Sequence, residues 1–180
     1  FLDDAFPEFA INVQWHVIGK IDEFTKYPDA EFIVAFGNNK IRREMLNKLQ
    51  QEKLHIASIV HPKASISKYC SIDVGVVILA NAVVNIGSKI AAGTIINTSA
   101  SVDHDCTLGE CVHISPGVNL AGGVNVGELS WIGIGSNVIQ YITVARNVQI
   151  AAGATVIKAE IDNALYMGVP AKFVRTLDNS

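Results

Sequence analysis

The sequence predicts a mainly β fold, a parallel β-helix built from hexapeptide repeats, with a small α/β unit in front of it. Two observations support this prediction. Every sixth residue from Val60 to Val156 is Val, Ile or Leu, which makes seventeen positions in one unbroken register. Residues 1–58 lack this period and combine strand-like runs with an amphipathic helical segment. The change of pattern predicts two domains, residues 1–58 and residues 59–180.

The six-residue period indicates short strands separated by tight corners. It fits neither a helix, whose apolar face recurs about every 3.6 residues, nor an alternating strand. Three such units make one triangular coil of eighteen residues, as in hexapeptide β-helices. The aliphatic residue points into the coil, and so does the mostly small residue four places later, a position that includes Cys70 and Cys106. Cys111 is predicted to face outward.

The front unit is predicted to follow the strand, helix, strand order of a parallel α/β sheet. Asn39 is the predicted cap of the helix, because an Asn side chain can bond the first free N–H groups. Ile41, Met45 and Leu49 are predicted to form its buried face. The predicted strands are Trp15 to Gly19, Glu31 to Phe36 and His55 to Ile59, and the predicted helix spans residues 40–53.

The composition indicates a folded protein that binds small molecules. With 49% hydrophobic and 17% charged residues, the chain is too apolar for disorder. A net charge of -3 offers no basic surface for nucleic acid, and no apolar run reaches the roughly 18 residues of a membrane span. Three cysteines without metal-site spacing, and no visible signal peptide, favour a reducing, cytoplasmic compartment. The chain starts at Phe1 within a strand-like run, so we expect further residues before it.

Polar residues of the rod concentrate between Asn97 and Asp105, and His113 follows His104 by nine residues. Nine residues are half a coil, so the two histidines should lie on opposite sides of one rod. Three rods around a threefold axis would bring His104 of one chain against His113 of the next, which predicts a site between subunits. Gly122 follows His104 by one full coil. It should leave room for a ligand over the imidazole and expose a backbone N–H to an oxyanion.

His104 is the candidate general base, because an imidazole titrates near neutral pH. Either Asp103 or Asp105 could hold its tautomer, and the sequence leaves that choice open. A solvated polar corner without chemistry is the alternative. A zinc site is disfavoured, because His61, His104 and His113 are separated by 43 and 9 residues, neither of which is a multiple of the coil.

Several motifs resemble those of the bacterial nucleotide-sugar and sialic-acid acetyltransferases, in which a Rossmann-like part precedes a left-handed β-helix. The resemblance covers the whole chain. Its motifs are Phe1-Leu2-Asp3-Asp4, Ala35-Phe36-Gly37-Asn38, Ile59-Val60-His61-Pro62, Asn97-Thr98-Ser99, His104-Asp105-Cys106, His113 and Gly168-Val169-Pro170-Ala171-Lys172.

The resemblance implies an acetyl-CoA-dependent transfer, without an acyl-enzyme, at the interfaces of a homotrimer. It implies His104 as general base, Asp105 as its support and Asn97 as a positioning group. The acetyl-CoA contacts that it implies are His113, Gly122, Ala152, Gly153, Lys172 and Arg175. The nucleotide-sugar contacts that it implies are Asp3, Asp4, Gly37 and Asn38.

These observations together predict an N-acetyltransferase that acts on a nucleotide-linked amino sugar, such as a UDP-4-amino-4,6-dideoxyhexose. O-acetylation of sialic acid or another sugar is the alternative within the same class. A non-catalytic β-helix that serves as a scaffold or binding subunit is the alternative from another class. We expect no metal, nucleic acid or membrane partner.

Overall fold

The computed structural model describes residues 1–159 and 161–177. Within them the rod is a three-sided parallel β-helix with one two-residue strand to each hexad. Each strand pairs in parallel with the strand one coil further along the chain, so that Ile95 pairs with His113 and His113 with Trp131. The predicted eighteen-residue coil and the predicted fold class are both confirmed.

Each side of the rod is a ladder of short strands. The side that carries His113, called the His113 side below, contains Ile59–Val60, Val77–Ile78, Ile95–Ile96, His113–Ile114, Trp131–Ile132 and Gln149–Ile150. The second side contains Ser65–Ile66, Val83–Val84, Ser101–Val102, Asn119–Leu120, Asn137–Val138 and Thr155–Val156. The third side contains Ser71–Ile72, Lys89–Ile90, Thr107–Leu108, Asn125–Val126 and Thr143–Val144. Two cap strands, Ala164–Met167 and Lys172–Thr176, extend the His113 side at its far end.

Aliphatic side chains fill the rod as the period predicts. From Ile78 to Val156 every sixth residue is at most 2% exposed. The first coil departs from this rule, because its three strands are the edges of the three sheets. Val60 is 47% exposed, and Ile66 and Ile72 are only partly buried. The buried hydroxyls of Ser88 and Thr94 donate to carbonyls of the next coil, which satisfies them inside an apolar core.

The corners share one backbone conformation. Every sixth residue from Gly75 to Gly153 has a positive φ, and half of these residues are not glycine. A left-handed residue turns the chain sharply, at a cost that glycine avoids and that Asn and Asp tolerate best. Asp105 occupies one of these corners with φ 58°, and it therefore departs from simple strand alternation.

The front unit contains the predicted strand, helix, strand order. Strands β3 (Glu31–Phe32) and β4 (His55–Ile56) pair in parallel across helix α1 (Asn39–Gln51). Strands β1 (Ile11–Asn12) and β2 (Trp15–His16) form a separate antiparallel hairpin. The predicted run from His55 to Ile59 divides between β4 and the first strand of the rod. A 3-10 helix (Ile21–Lys26) lies between β2 and β3 in the chain.

Two predictions about α1 are wrong. Its cap is Asn38, whose Oδ1 accepts from the N–H groups of Lys40 and Ile41 at 2.9 and 3.2 Å, and Asn39 is the first helical residue. Ile41 is 48% exposed, and Arg42 is buried in its place together with Met45 and Leu49. The helix face that packs on the rod is therefore rotated by one residue from the apolar stripe that the sequence suggests.

Cys111 points away from the core of the rod, as predicted, but it is only 1% exposed. It belongs to a second apolar cluster between the rod and α1, together with Leu46, Leu49 and Leu129. This cluster joins the front unit to the rod. None of the described helices combines the length and the apolar character needed to cross a membrane.

Candidate active site

His104 and Asp105 form a hydrogen-bonded pair at a corner of the rod. The corner connects the strands Ser101–Val102 and Thr107–Leu108, and His104 Nδ1 lies 2.9 Å from Asp105 Oδ2. The left-handed backbone of Asp105 folds its carboxylate back onto the preceding residue. A carboxylate only accepts, so Nδ1 carries the hydrogen and Nε2 presents its lone pair. This geometry selects Asp105, rather than Asp103, as the partner of the imidazole.

The surroundings of His104 favour its protonated form. The hydrogen bond to Asp105 is the main cause that raises the pKa of His104, and the charges of Asp103 and Asp105 add to it. Asp103 accepts from Asn85 Nδ2 at 2.9 Å and from the His104 N–H at 2.8 Å, which lowers the pKa of Asp103. The imidazole can therefore take up a proton and hold it as an imidazolium.

Gly122 lies over His104 as predicted, but the prediction that it leaves room for a ligand there is wrong. A Cβ at Gly122 would lie 2.5 Å from Cε1 and 3.0 Å from Cδ2 of His104. The space that the glycine opens is filled by the imidazole itself. Gly122 thus allows the Nε2 end of the ring to lie against the next coil.

Two further glycines frame Asp105, and the sequence reasoning linked neither of them to this carboxylate. Gly87 and Gly123 stand one coil before and one coil after it, and a Cβ at Gly87 would lie 3.3 Å from the Asp105 carboxyl carbon. The side of Gly123 is covered by the Tyr141 ring, whose Cδ1 would lie 2.5 Å from an added Cβ. Counting eighteen residues in both directions from Asp105 would have found them.

His113 lies on the opposite side of the rod from His104, as the half-coil spacing predicts. Its ring stacks on Trp131, with centroids 5.8 Å apart and planes at 10°. Asn97 Nδ2 lies 3.3 Å from His113 Nε2, and His113 Nδ1 is buried without a hydrogen-bond partner in the described part of the chain. Burial, followed by the charge of Arg42, lowers the pKa of His113 to about 4.

Two grooves meet at His113 and Trp131. The first groove, of about 590 Å³, runs from the Gly37–Asn38 turn past these rings to Arg175. The second groove, of about 430 Å³, lies on the other side of the same rings and contains Asn97. The first groove is also lined by Asn39, Lys40, Leu129, Asn147, Gln149 and Leu177. The second groove is also lined by Ser115, Pro116, Gly133, Ile134, Gln149, Ile150, Ala151 and Ala152.

The structure brings together only part of the predicted site. Gly37, Asn38, His113 and Arg175 share the first groove, and Asn97, His113 and Ala152 share the second. His104, Asp105 and Gly122 lie across the rod from both grooves. Gly153 forms the corner after Ala152, and Lys172 lies on an exposed cap strand.

Asp3 and Asp4 lie apart from both grooves. Their carboxylates accept backbone N–H groups, Asp3 from Ala5 at 2.9 Å and Asp4 from Ile21 at 3.1 Å. Both carboxylates therefore support the local backbone as the structure stands.

Trp131 and Ser115 were not singled out from the sequence. Trp131 Nε1 donates to Ser115 Oγ at 2.7 Å, which fixes the indole over His113. Trp131 stands one coil after His113, so the coil spacing could have identified it. Within residues 1–159 and 161–177, no three His, Cys, Asp or Glu side chains are close enough to hold a metal ion.

Comparisons with known proteins agree across both parts of the chain. The domain family described as PglD N-terminal domain matches residues 1–49. The acetyltransferase domain of PglB from Neisseria gonorrhoeae FA1090, in complex with acetyl coenzyme A, is 37% identical with a TM-score of 0.92, over 97% of this chain and 85% of that chain. PerB from Caulobacter crescentus, in complex with CoA and GDP-perosamine, is 32% identical with a TM-score of 0.90, over 92% of this chain and 82% of that chain.

A curated relative matches a shorter stretch. The UDP-N-acetylbacillosamine N-acetyltransferase of Bacillus subtilis (strain 168) is 34% identical over 83 residues, which are 44% of this chain and 38% of that protein. The match therefore spans less than half of that relative's own length.

Proposed function

This chain belongs to the bacterial nucleotide-sugar acetyltransferases, and we propose that it transfers an acetyl group from acetyl-CoA to the amine of a nucleotide-linked amino sugar. A UDP-4-amino-4,6-dideoxyhexose is the proposed type of acceptor. The observation that carries the proposal is the His104–Asp105 pair, whose bond at 2.9 Å leaves Nε2 of the imidazole as a proton acceptor. The relatives support it, since one binds acetyl coenzyme A and another binds CoA and GDP-perosamine.

In the proposed reaction His104 acts as the general base. The acceptor amine attacks the thioester carbonyl, the new N–C bond forms, and the amine proton passes to His104 Nε2. The C–S bond then breaks, and the proton on His104 is available to the departing thiolate. Asp105 holds the ring orientation and stabilises the imidazolium.

We propose direct transfer without an acyl-enzyme. The buried thiols of Cys106 and Cys111 support this, because burial raises the pKa of each and so disfavours the nucleophilic thiolate. Neither thiol borders the two grooves.

The complete site is proposed to form between neighbouring chains of a homotrimer. His104 and His113 lie on opposite sides of one rod, and neither can complete the other's surroundings within a single chain. His104 of one chain would face His113, Asn97 and Trp131 of its neighbour. In a cyclic homo-oligomer the same interface is repeated around the axis, so each interface of the trimer would carry an equivalent site.

The remaining residues are assigned by the grooves and by the resemblance. We propose that residues 1–58 form the nucleotide-sugar domain and that residues 59–180 form the acetyltransferase domain, a division supported by the first rod strand, Ile59–Val60. Residue 160 and residues 178–180 of the second domain lie outside the described part. The proposed nucleotide contacts are Gly37, Asn38, Asp3 and Asp4, and the proposed acetyl-CoA contacts are His113, the Gly122 backbone, Ala152, Gly153, Lys172 and Arg175.

We propose a cytoplasmic location, which three free cysteines among the described residues support. An acceptor screen tests the function: acetyl-CoA is supplied with UDP-linked amino sugars, GDP-perosamine and sialic acid, and CoA release is measured. Turnover on a nucleotide-linked amine is expected. Turnover on sialic acid alone would indicate O-acetylation. No turnover, together with no CoA affinity by calorimetry, would indicate a scaffold.

A further inference from the structure

Arg42 in α1 is a fully buried arginine, only 1% exposed. Its guanidinium donates to the carbonyls of Phe36 at 2.8 Å, Gly93 at 2.7 Å and Cys111 at 2.9 Å, and to Asn39 Oδ1 at 2.8 Å. The rigid fork of an arginine can satisfy such a set of divergent acceptors, whereas the compact ammonium of a lysine cannot.

These acceptors belong to separate parts of the fold. Phe36 precedes the Gly37–Asn38 turn of the first groove, and Gly93 and Cys111 occupy matching corners of two successive coils. Asn39 extends the contact, because its Nδ2 donates to the carbonyls of Leu129 at 2.9 Å and Ser130 at 3.2 Å, in the coil after that. Arg42 and Asn39 thus bind the start of α1 to three successive coils.

The same corners lead directly to the rings between the two grooves. Cys111 stands two residues before His113, and Leu129 stands two residues before Trp131. A displacement of the start of α1 would move the corners at Cys111 and Leu129, and would therefore shift the nearby rings of His113 and Trp131.

The charge of Arg42 has no carboxylate counterpart within ion-pair distance among the described residues. A buried charge of this kind is costly, and helix packing alone would be served by an apolar side chain. The neighbouring Arg43 shows the simpler arrangement, since it joins α1 to the rod through a partly exposed ion pair with Glu128 at 3.4 Å. Attachment of α1 to the rod therefore does not by itself account for the burial of the Arg42 guanidinium.

The protonation state of the His113 ring is one property that a cation at Arg42 affects. The Thr98 N–H donates to Asn97 Oδ1 at 2.8 Å, so the Asn97 amide turns its Nδ2 toward His113 Nε2. Nε2 must then accept, and the hydrogen lies on Nδ1 of a neutral ring. A protonated ring would place two donors face to face. The charge of Arg42 acts in the same direction, and the other charged side chains of the first groove, Lys40 and Arg175, are also cationic.

We propose that Arg42 is a positioning residue of the transferase site, which holds the Gly37–Asn39 turn and the strands that carry His113 and Trp131 in one fixed arrangement. The inference rests on the proposed function, because it assigns Arg42 to the junction between the first groove, which contains the proposed nucleotide contacts Gly37 and Asn38, and the second groove, which contains the proposed acetyl-CoA contact Ala152. Its charge has a second effect: it adds to burial in disfavouring protonation of the His113 ring, whose Nε2 accepts from Asn97.

Two substitutions separate these effects. Arg42→Lys keeps the charge and loses the fork, and Arg42→Met loses both. Arg43→Met is the matched control, because it removes the neighbouring arginine of the same helix. For each protein, the His113 ring is titrated by NMR, and a His113→Gln variant assigns its signal. Binding of UDP and GDP is measured by calorimetry. The values of kcat and KM are determined for acetyl-CoA and for the acceptor.

Arg42→Lys is expected to leave His113 titrating near 4, to weaken nucleotide binding about tenfold and to lower acceptor kcat/KM at least tenfold, mainly through KM. Arg42→Met is expected in addition to raise the titration midpoint of His113. Arg43→Met should behave as the wild type in every measurement.

Unchanged acceptor kcat/KM and unchanged nucleotide affinity in Arg42→Lys would overturn the positioning role, and this variant decides alone if Arg42→Met does not fold. An unmoved His113 midpoint in a folded Arg42→Met variant would overturn the charge effect. The titration and the calorimetry need no turnover, so a wild type without acetyltransferase activity would refute the proposed function and leave this inference separately testable.

Discussion

The rod carries two histidines half a coil apart, and their surroundings are opposite in kind. His104 stands at an exposed corner, bonded to Asp105 and flanked by Asp103, and these carboxylates raise its pKa. His113 lies half-buried against Trp131, and burial and the cation of Arg42 lower its pKa to about 4. The neighbours that each position in the coil supplies, rather than the residue type, therefore decide which imidazole is protonated more readily.

The two surroundings also differ in how they hold their ring. The His104 ring lies against Gly122, and it can occupy this position only because Gly122 has no side chain. The His113 ring is held by an indole and an amide, through stacking and a contact with Asn97. The surroundings of His104 favour a protonated ring, and those of His113 favour one neutral tautomer.

Removal of His104 should have the largest effect. His104→Ala is expected to lower kcat about 10²- to 10⁴-fold, with little change in thermal stability, because general-base catalysis contributes that much and the side chain is exposed. Steady-state kinetics at saturating acetyl-CoA measures it. His55→Ala, at an exposed histidine of β4, is the control and should retain wild-type rates. Near wild-type kcat in His104→Ala would remove His104 as the base.

Gly122→Ala should have the next largest effect. The added Cβ meets the His104 ring and must displace it, so kcat is expected to fall about a hundredfold. Gly135→Asn serves as the control, since a Cβ there meets nothing within 4 Å and Asn tolerates a positive φ. A crystal structure of Gly122→Ala should show the imidazole moved. Full activity with an unmoved ring would contradict the account.

Asp105→Asn should have a smaller effect and should move the pH profile. His104 must be neutral to accept a proton, so activity rises with pH through its pKa, which Asp105 holds above the ordinary 6.5. The variant should shift the acidic limb of the kcat profile to lower pH and reduce the plateau about tenfold. Asp103→Asn should shift it less, because its charge is a lesser cause. An equal shift in both variants would refute the assignment of Asp105.

The smallest effect concerns stability at acid pH. The unfolded His113 titrates near 6.5 and the folded one near 4, so between these values the unfolded chain binds more protons. The free energy of unfolding therefore falls as pH drops through this window. Relative to His113→Gln, the melting temperature of the wild type should fall by a few degrees from pH 7 to pH 4.5. If the melting temperatures of the two proteins changed equally between pH 7 and pH 4.5, His113 would not be held neutral by the fold.

The sequence predicted the rod almost completely, because the repeat is a local pattern that recurs without interruption. One register determines the strand positions, the core residues and the coil length, and it also placed Gly122 over His104. The repeat could not show which side chain or ligand fills a given opening on the rod. The opening at Gly122 depends on the rotamer of His104, and a period carries no information about rotamers.

The contact between α1 and the rod was predicted least well. Ile41 looks like a core residue and Arg42 like a surface residue when the helix is considered alone. The carbonyls of Gly93 and Cys111, which lie far along the chain, reverse that preference. Cys111 is buried for the same reason, since its cover comes from the front unit. These placements depend on how two independently patterned parts meet.

We propose that His104 and His113 of different chains form one site. The most direct test mixes His104→Ala and His113→Ala chains by co-expression and purifies the mixed oligomers. Each variant alone should be strongly impaired. In random trimers about a quarter of the interfaces combine an intact His104 with an intact His113, so about a quarter of wild-type activity should return. No recovery in oligomers shown by mass spectrometry to contain both chains would contradict a site shared between subunits.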